Sequence, residues 1–235
     1  MTFTVIAHCE RTGKAGFCQA TSTPAVGWRC TDVVPGRGVV SVQAHGDYRL
    51  LQRAIRLLHD GCQPDEVLRE VQAADAYAPY RQIAILDFAG RVAVATGPKA
   101  RAWAGEIVGN RYVVSGNVLV GQQVLQAMEE AFVRSGSEEL EERLLRAVEA
   151  GRDAGGQPEG QTSCALVVYA EHVFPIVNLR VDVALEPVGE MRRILDWFKP
   201  LIPYYVSRTL DPSSVAPKKA VLEAMGLPLN PYAAV

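Results

Sequence analysis

The chain has 235 residues, 49% of them hydrophobic and 21% charged, with a net charge of -2. That is enough apolar material for one large core or at most two small ones. Both signs of charge are interspersed, so neither nucleic acid nor an anionic membrane is expected as a partner. No run approaches the roughly eighteen apolar residues of a bilayer span, and no basic n-region opens the chain. The five cysteines (Cys9, Cys18, Cys30, Cys62, Cys164) sit at scattered spacings without a CxxC pair. They read as small buried hydrophobes in a reducing cytoplasm.

Thr2–Cys9 and Lys14–Thr21 are apolar runs separated by Glu10-Arg11-Thr12-Gly13, the pattern of a β-hairpin. Val26–Val34 and Gly38–Ala44 read as strands around Pro35-Gly36. The period then becomes helical: Leu50, Leu51, Ala54, Ile55, Leu57 and Leu58 recur until Gly61, and a second helix begins at Pro64. Strands return at Gln82–Asp87, Arg91–Thr96 and Tyr112–Ser115. One helix follows with Val124, Leu125, Met128, Ala131 and Phe132 on a stripe. Another aligns Leu140, Leu144, Leu145 and Val148 after a Ser135-to-Glu138 capping box. The acidic run Glu138-Glu139 with Glu141-Glu142-Arg143 reads as the solvated face of that helix. A Gly/Gln/Pro-rich loop over Gly151–Gln161 leads to strands at Thr162–Tyr169 and Val173–Asp182, and Pro187 opens a last long helix through Phe198.

IAILDF, VAVAT and CALVVY are nearly continuous apolar runs, which predicts strands covered on both faces. The helices arrive in consecutive pairs rather than one per strand, which disfavours a doubly wound parallel sheet. Both facts fit an α+β fold: a four-layer αββα sandwich of two antiparallel sheets flanked by helix pairs.

The usual site motifs are missing. His8, His45, His59 and His172 are isolated, with no HxH, HExxH or Cys/His cluster, so no metal is expected. GxGxxG and GxxxxGK[ST] are absent, as is GxSxG, and no cofactor is predicted. What stands out is a strand that starts at Thr2. By alternation Thr2, Thr4, Ile6 and His8 share one face, and Phe3, Val5, Ala7 and Cys9 the other. On chemistry alone Thr2 is a strand residue whose hydroxyl caps nearby backbone, and SGNVLVG is a strand-to-helix turn.

Six stretches together carry a further reading: MTFTVIAH at the start, STPAVG at Ser22–Gly27, ATGPKARAWAG at Ala95–Gly105, SGNVLVG at Ser115–Gly121, GQTSCALVV at Gly160–Val168 and NLRVDVALEPVGEMRRIL at Asn178–Leu195. Through them the chain, from Met1 to about Trp197, resembles the bacterial and archaeal family called domain of unknown function 1028. Its members look like Ntn-hydrolase-like, proteasome-type proteins. The resemblance implies that Thr2, freed by loss of Met1, is a nucleophile whose own amine is the general base. It implies that Ser115 and Asn117 orient that amine, and that Gly46, in Ala44-His45-Gly46, supplies an oxyanion N–H. His45, Ser22, Ser163 and Gly116 are then the residues expected against substrate. Proteasome-type sites also carry an Asp after the second strand and a Lys on the third. Here Gln19-Ala20-Thr21-Ser22 and Val26-Gly27-Trp28-Arg29 hold neither, and a guanidinium does not shuttle protons.

Two functions follow. One is hydrolysis of a small amide or peptide-like substrate by Thr2. The alternative is a non-catalytic module on the same fold that binds a small ligand or forms oligomers. Residues 200–235 lie outside the resemblance and form an extension. Pro200 and Pro203 stop the preceding helix, and Tyr204, Tyr205, Leu227 and Tyr232 are expected to dock it on residues 1–199 or on a second subunit. A homodimer is the default assembly.

Overall fold

The computed structural model describes residues 1–233. One antiparallel sheet contains β1 (Thr2–His8), β2 (Ala15–Thr21), β7 (Gly105–Gly109), β8 (Tyr112–Asn117), β9 (Ser163–Tyr169) and β10 (Pro175–Val181), in the order β10-β9-β2-β1-β8-β7. A second antiparallel sheet runs β3 (Thr31–Val34), β4 (Gly38–Ala44), β5 (Arg81–Asp87) and β6 (Val92–Thr96) in sequence order. Helices α1 (Tyr48–His59) and α2 (Pro64–Ala73) cover the outer face of the second sheet. Helices α3 (Gln123–Arg134), α4 (Leu140–Asp153) and α5 (Pro187–Phe198) cover the first. The result is the four-layer αββα sandwich, with three helices rather than a pair on one side. No helix of the described residues is long and apolar enough to cross a membrane.

Strand alternation sorts the apolar side chains into three layers. Phe3, Val5 and Ala7 of β1 join Met128, Leu144, Leu145 and Met191 beneath α3, α4 and α5. Val40, Val42, Ile83 and Ile85 meet Leu51, Ala54 and Val67 beneath α1 and α2. Between the sheets lie Ile6, Phe17, Val39, Leu86, Val113 and Val167.

Several elements depart from the sequence reading. The strand expected over Val26–Val34 spans only Thr31–Val34, because Val26–Trp28 forms a 3-10 turn. Gln19 Nε2 donates to the Val26 carbonyl (3.1 Å) and the Val26 N–H donates to Ser163 Oγ (3.1 Å), which takes that backbone out of any ladder. Strand β6 pairs only with β5 and is half-exposed rather than covered on both faces. Strand β7, flanked by glycines, had no readable period. Ser135 caps nothing ahead of α4: its Oγ donates to the Ala131 carbonyl (2.8 Å) at the end of α3, and Glu139 precedes α4.

The acidic run is not a solvated face. Glu141 and Glu142 are 2% and 5% exposed. Glu141 pairs with Lys14 (3.1 Å), and Glu142 pairs with Arg146 (2.7 Å), Arg192 (3.0 Å) and Lys199 (3.2 Å). Burial works against the Glu142 charge, but the hydrogen bonds from Arg192 and Arg146, helped by Lys199, hold its carboxyl down at about 2. Glu141 and Glu142 are buried because α5 and the β1–β2 hairpin fold over them, which the pattern of one helix does not reveal, while Glu138 and Glu139 stay half-exposed.

Nor does the chain stop being helical at Pro200. A 3-10 turn at Lys199–Leu201 leads into α6 (Ile202–Leu210), with each proline in a first turn where no N–H is needed, and α7 (Lys218–Met225) follows. Beyond α7 the chain lies on α5. Trp197 Nε1 donates to the Pro228 carbonyl (3.0 Å), and the Arg193 guanidinium stacks 4.0 Å from the Tyr232 ring centre.

Phe17 is 1% exposed and holds the apolar end of the space between the sheets. Phe17→Ala should cost about 3–5 kcal/mol of unfolding free energy in urea titration, since neither sheet can collapse into the void without breaking its ladder.

Candidate active site

The layer between the sheets is apolar at one end and polar at the other. Along every inward row, side chains turn polar towards the end where β1 starts: Thr4 and Thr2, Gln19 and Thr21, Ser41 and Gln43, Ser115 and Asn117, and Gln82 on β5. All are buried. They are also linked. Gln82 Oε1 accepts from Gln43 Nε2 (2.8 Å) and Asn117 Nδ2 (3.2 Å). Gln82 Nε2 donates to Thr96 Oγ1 (2.7 Å) and to the carbonyls of Gly105 (2.9 Å) and Gly116 (3.0 Å). Gln43 Oε1 accepts from Thr4 Oγ1 (2.7 Å), and Gln43 Nε2 also reaches Ser115 Oγ (3.3 Å). A second branch joins Thr31 Oγ1 to Gln19 Oε1 (2.7 Å) and Ser41 Oγ (2.9 Å).

This network ends at a cavity of about 220 Å³ lined by Met1, Thr2, Thr21, Val26, Arg29, Cys30, Gln43 and the Ala44–Gly46 bend, among others. That is smaller than the roughly 300–1,000 Å³ of sites for drug-sized ligands, so it suits one small group. Thr2 pairs with Thr21 on one side and Asn117 on the other. Its Oγ1 lies 3.2 Å from Thr21 Oγ1. The Thr21 hydroxyl donates its one proton to the Met1 carbonyl, so Thr2 is the donor in the threonine pair.

Across the cavity, Ala44 adopts φ 71°, unusual for a residue with a Cβ, and swings the chain from β4 towards α1. Arg81 braces this bend by donating to the His45 carbonyl, and is itself held by Asp75 (2.8 Å). Asp47 caps α1 by accepting from the Arg49 N–H (2.9 Å). The His45 and Gly46 N–H groups have no partner among the described residues. They are free donors beside a cavity that holds Thr2.

The other residues singled out in the sequence fall as follows. Ser115 stands opposite Thr4, not Thr2, and its hydroxyl is engaged by Gln43. Asn117 is opposite Thr2, with its Oδ1 buried and unpartnered. Gly116 faces Phe3 in the ladder and gives its carbonyl to Gln82. The His45 ring is exposed and meets Tyr80 edge-on at 5.6 Å. Ser163 Oγ bridges the Thr23 carbonyl (2.7 Å) and the Val26 N–H. Ser22 Oγ is buried without a partner.

Two further groups bear on the chemistry. Burial pushes the Cys30 thiol up to about 11, so it stays protonated at neutral pH and is no rival nucleophile. A terminal amine at Met1 is pushed down, mainly by burial, with Arg101 and Arg29 adding to the effect and Cys30 and Glu159 opposing it.

Residues 2–191 match the model of a family of unknown function, DUF1028. The chain belongs to that family. A DUF1028 protein from Silicibacter pomeroyi, known by crystal structure, is 31% identical over 84% of this chain and 86% of its own, with a TM-score of 0.78. Lower similarity joins the chain to Anbu, the ancestral beta-subunit, from Yersinia bercovieri (14% identity, 87% and 96% covered, TM-score 0.41). An Anbu Gly-1 mutant from Hyphomicrobium sp. strain MC1 is similar at 12% identity, 90% and 100% covered, TM-score 0.44. No curated protein matches the chain.

In this DUF1028 chain, the residues that reasoning from motifs passed over are Thr21, Gln43 and Gln82. A lone glutamine near a strand end reads as solvent-facing. The available signal was alternation: Gln43 falls in step with inward Val39 on β4, and Gln82 with inward Ala84 and Leu86 on β5. Because Gln82 has five partners, Gln82→Leu should lower unfolding free energy by about 3 kcal/mol or more, read by urea titration, since it strands buried amides of Gln43 and Asn117.

Proposed function

We propose that this DUF1028 protein is an amide hydrolase that uses Thr2 as an N-terminal nucleophile on a small, peptide-like substrate, once the Thr2 amine has been freed from Met1. The observation that carries the reading is that Thr2, its hydroxyl bonded to Thr21, lines one cavity with Gly46, whose N–H has no partner among the described residues. In this mechanism Thr2 Oγ attacks the substrate carbonyl carbon and its proton passes to the Thr2 amine. The developing oxyanion accepts hydrogen bonds from the Gly46 and His45 N–H groups. The C–N bond breaks as the ammonium returns that proton to the leaving amine. Water, deprotonated by the same amine, then hydrolyses the Thr2 ester and restores the hydroxyl.

Among the described residues that line the cavity there is no lysine to tune the amine, and burial offers a substitute. The desolvation that depresses an amine at Met1 acts as well on one at Thr2, which is 6% exposed. Desolvation of this kind favours the free base, the form a general base requires. Loss of Met1 also releases the Thr21 proton from the Met1 carbonyl, leaving that hydroxyl available to the amine.

A second reading is supported by the closed state with Met1 in place: Thr2 N lies in a peptide bond and the cavity then serves only to bind. One experiment separates the two. Protein from its native host is weighed intact, then treated with a β-lactone probe. Catalysis expects loss of Met1, a covalent adduct on Thr2, and no adduct in Thr2→Ala. Quantitative retention of Met1, or no adduct on the trimmed chain, leaves the binding module.

If amide turnover is found, kcat/KM should rise with pH and level off above an inflection below about 8, the ordinary value for a terminal amine. The sign follows from the lowered amine: the base form is present above its pKa and lost as pH falls through it. A rate that climbs only above pH ~9 would exclude a depressed Thr2 amine as the base.

A further inference from the structure

A larger cavity, about 710 Å³, opens at the same end of the sandwich on the helix-covered side of the six-stranded sheet. One wall is the loop before β9, with Gln157, Glu159 and Thr162. The other is the segment between β10 and α5, with Val183, Leu185 and Glu186. The Ala184 N–H donates to the Thr162 carbonyl (2.9 Å) and ties the walls together. The Thr162 N–H donates (2.7 Å) to the carbonyl of Thr21, a residue that lines the cavity at Thr2.

Three features give the cavity a chemistry. Gln157 is 3% exposed, and among the described residues both its amide nitrogen and its amide oxygen are buried without a hydrogen-bond partner. A buried carboxamide is normally satisfied, and this one borders a cavity. Its position is set by backbone: Gly155 and Gly156 take φ of 107° and 49°, and the Gly160 N–H closes a turn on the Gln157 carbonyl (2.9 Å). The cavity lip is apolar, with Val183 69% and Leu185 97% exposed. Its charge is acidic: Glu159 and Glu186 border it, and Arg152, the one cation on the wall, already gives its Nε to Asp153 (2.8 Å).

We propose that this cavity binds an extended peptide segment carrying a basic and an apolar side chain. In extended backbone the N–H and C=O of one residue point to the same side, which matches the acceptor and donor of a single carboxamide. A rotation about its own side-chain bonds turns the Gln157 amide into the cavity it borders, where the peptide N–H donates to Oε1 and the peptide C=O accepts from Nε2. The basic side chain meets Glu159 and Glu186, and the apolar one covers Val183 and Leu185. No competent Thr2 is needed, so the site can be tested with Met1 retained.

The test is calorimetric titration of acetyl-lysyl-leucine methylamide, and of its acetyl-glutamyl counterpart, into the full chain and into Gln157→Met, a near-isosteric change. The lysyl peptide should saturate the wild-type chain and bind at least about tenfold tighter than the glutamyl one. Gln157→Met should weaken the lysyl peptide at least about tenfold while its melting temperature stays level or rises, because an unsatisfied amide has been removed. A structural glutamine would lower the melting temperature instead. Absence of saturable binding to the wild-type chain, or equal affinity of wild type and Gln157→Met, overturns the site. Equal affinity for the two peptides overturns the choice of a basic ligand.

Discussion

The hydrogen-bonded layer between the sheets is the constraint on which the candidate site depends. Two sheets that meet through apolar side chains can slide by small steps at little cost. Two sheets that meet through paired amides cannot, because each displaced carboxamide leaves a buried donor and acceptor without partners. Gln82 alone ties β5 to β4, β6, β7 and β8 through Gln43, Thr96, Gly105 and the Gly116–Asn117 segment. A one-residue slip of β8 would turn Ser115 and Asn117 to the helix side and bring Val114 and Gly116 inward. The place of Thr2, opposite Asn117 and Thr21, is therefore a property of strand register and not of any bond Thr2 makes itself.

That dependence explains what could be read from the sequence. The sides of β1 were legible because MTFTVIAH alternates cleanly, and Phe3, Val5 and Ala7 do face the helices while Thr2, Thr4 and Ile6 face the other sheet. The layered architecture followed from helix pairing and apolar strands, which are local patterns. What failed was decided between distant segments. Val26–Trp28 looks like strand until Gln19 and Ser163 claim its polar groups from either side. Glu141 and Glu142 look solvated until Lys14 and Arg192, remote in the chain, arrive with the cover. Gln43 and Gln82 gave no motif, since the property that matters is mutual contact across 39 residues of chain.

The end of the sandwich at Thr2 is also where polar satisfaction breaks down. Among the described residues Asn117 Oδ1, Ser22 Oγ and both amide atoms of Gln157 are buried without partners; Asn117 ends β8, Ser22 follows β2 and Gln157 sits in the loop ahead of β9. The other unpartnered atoms are the Nε of Arg53 and Arg143, whose guanidinium groups are used elsewhere, on Glu70 and on the face of Phe132. A fold that pairs its amides so thoroughly within the inter-sheet layer has no mechanical reason to leave these three open. Stability alone would favour an apolar residue at each position.

Met1 belongs to the same end of the sandwich. Its carbonyl takes the Thr21 proton and its residue lines the smaller cavity. Its amine feels Arg29 from one side and Glu159 from the other, and Glu159 belongs to the wall of the larger cavity. Thr21, whose hydroxyl engages Met1, also gives its carbonyl to Thr162 in the wall of the larger cavity. Thr21 thus links the two cavity walls through its own hydroxyl and carbonyl, so both walls depend on the register of β2 against β1.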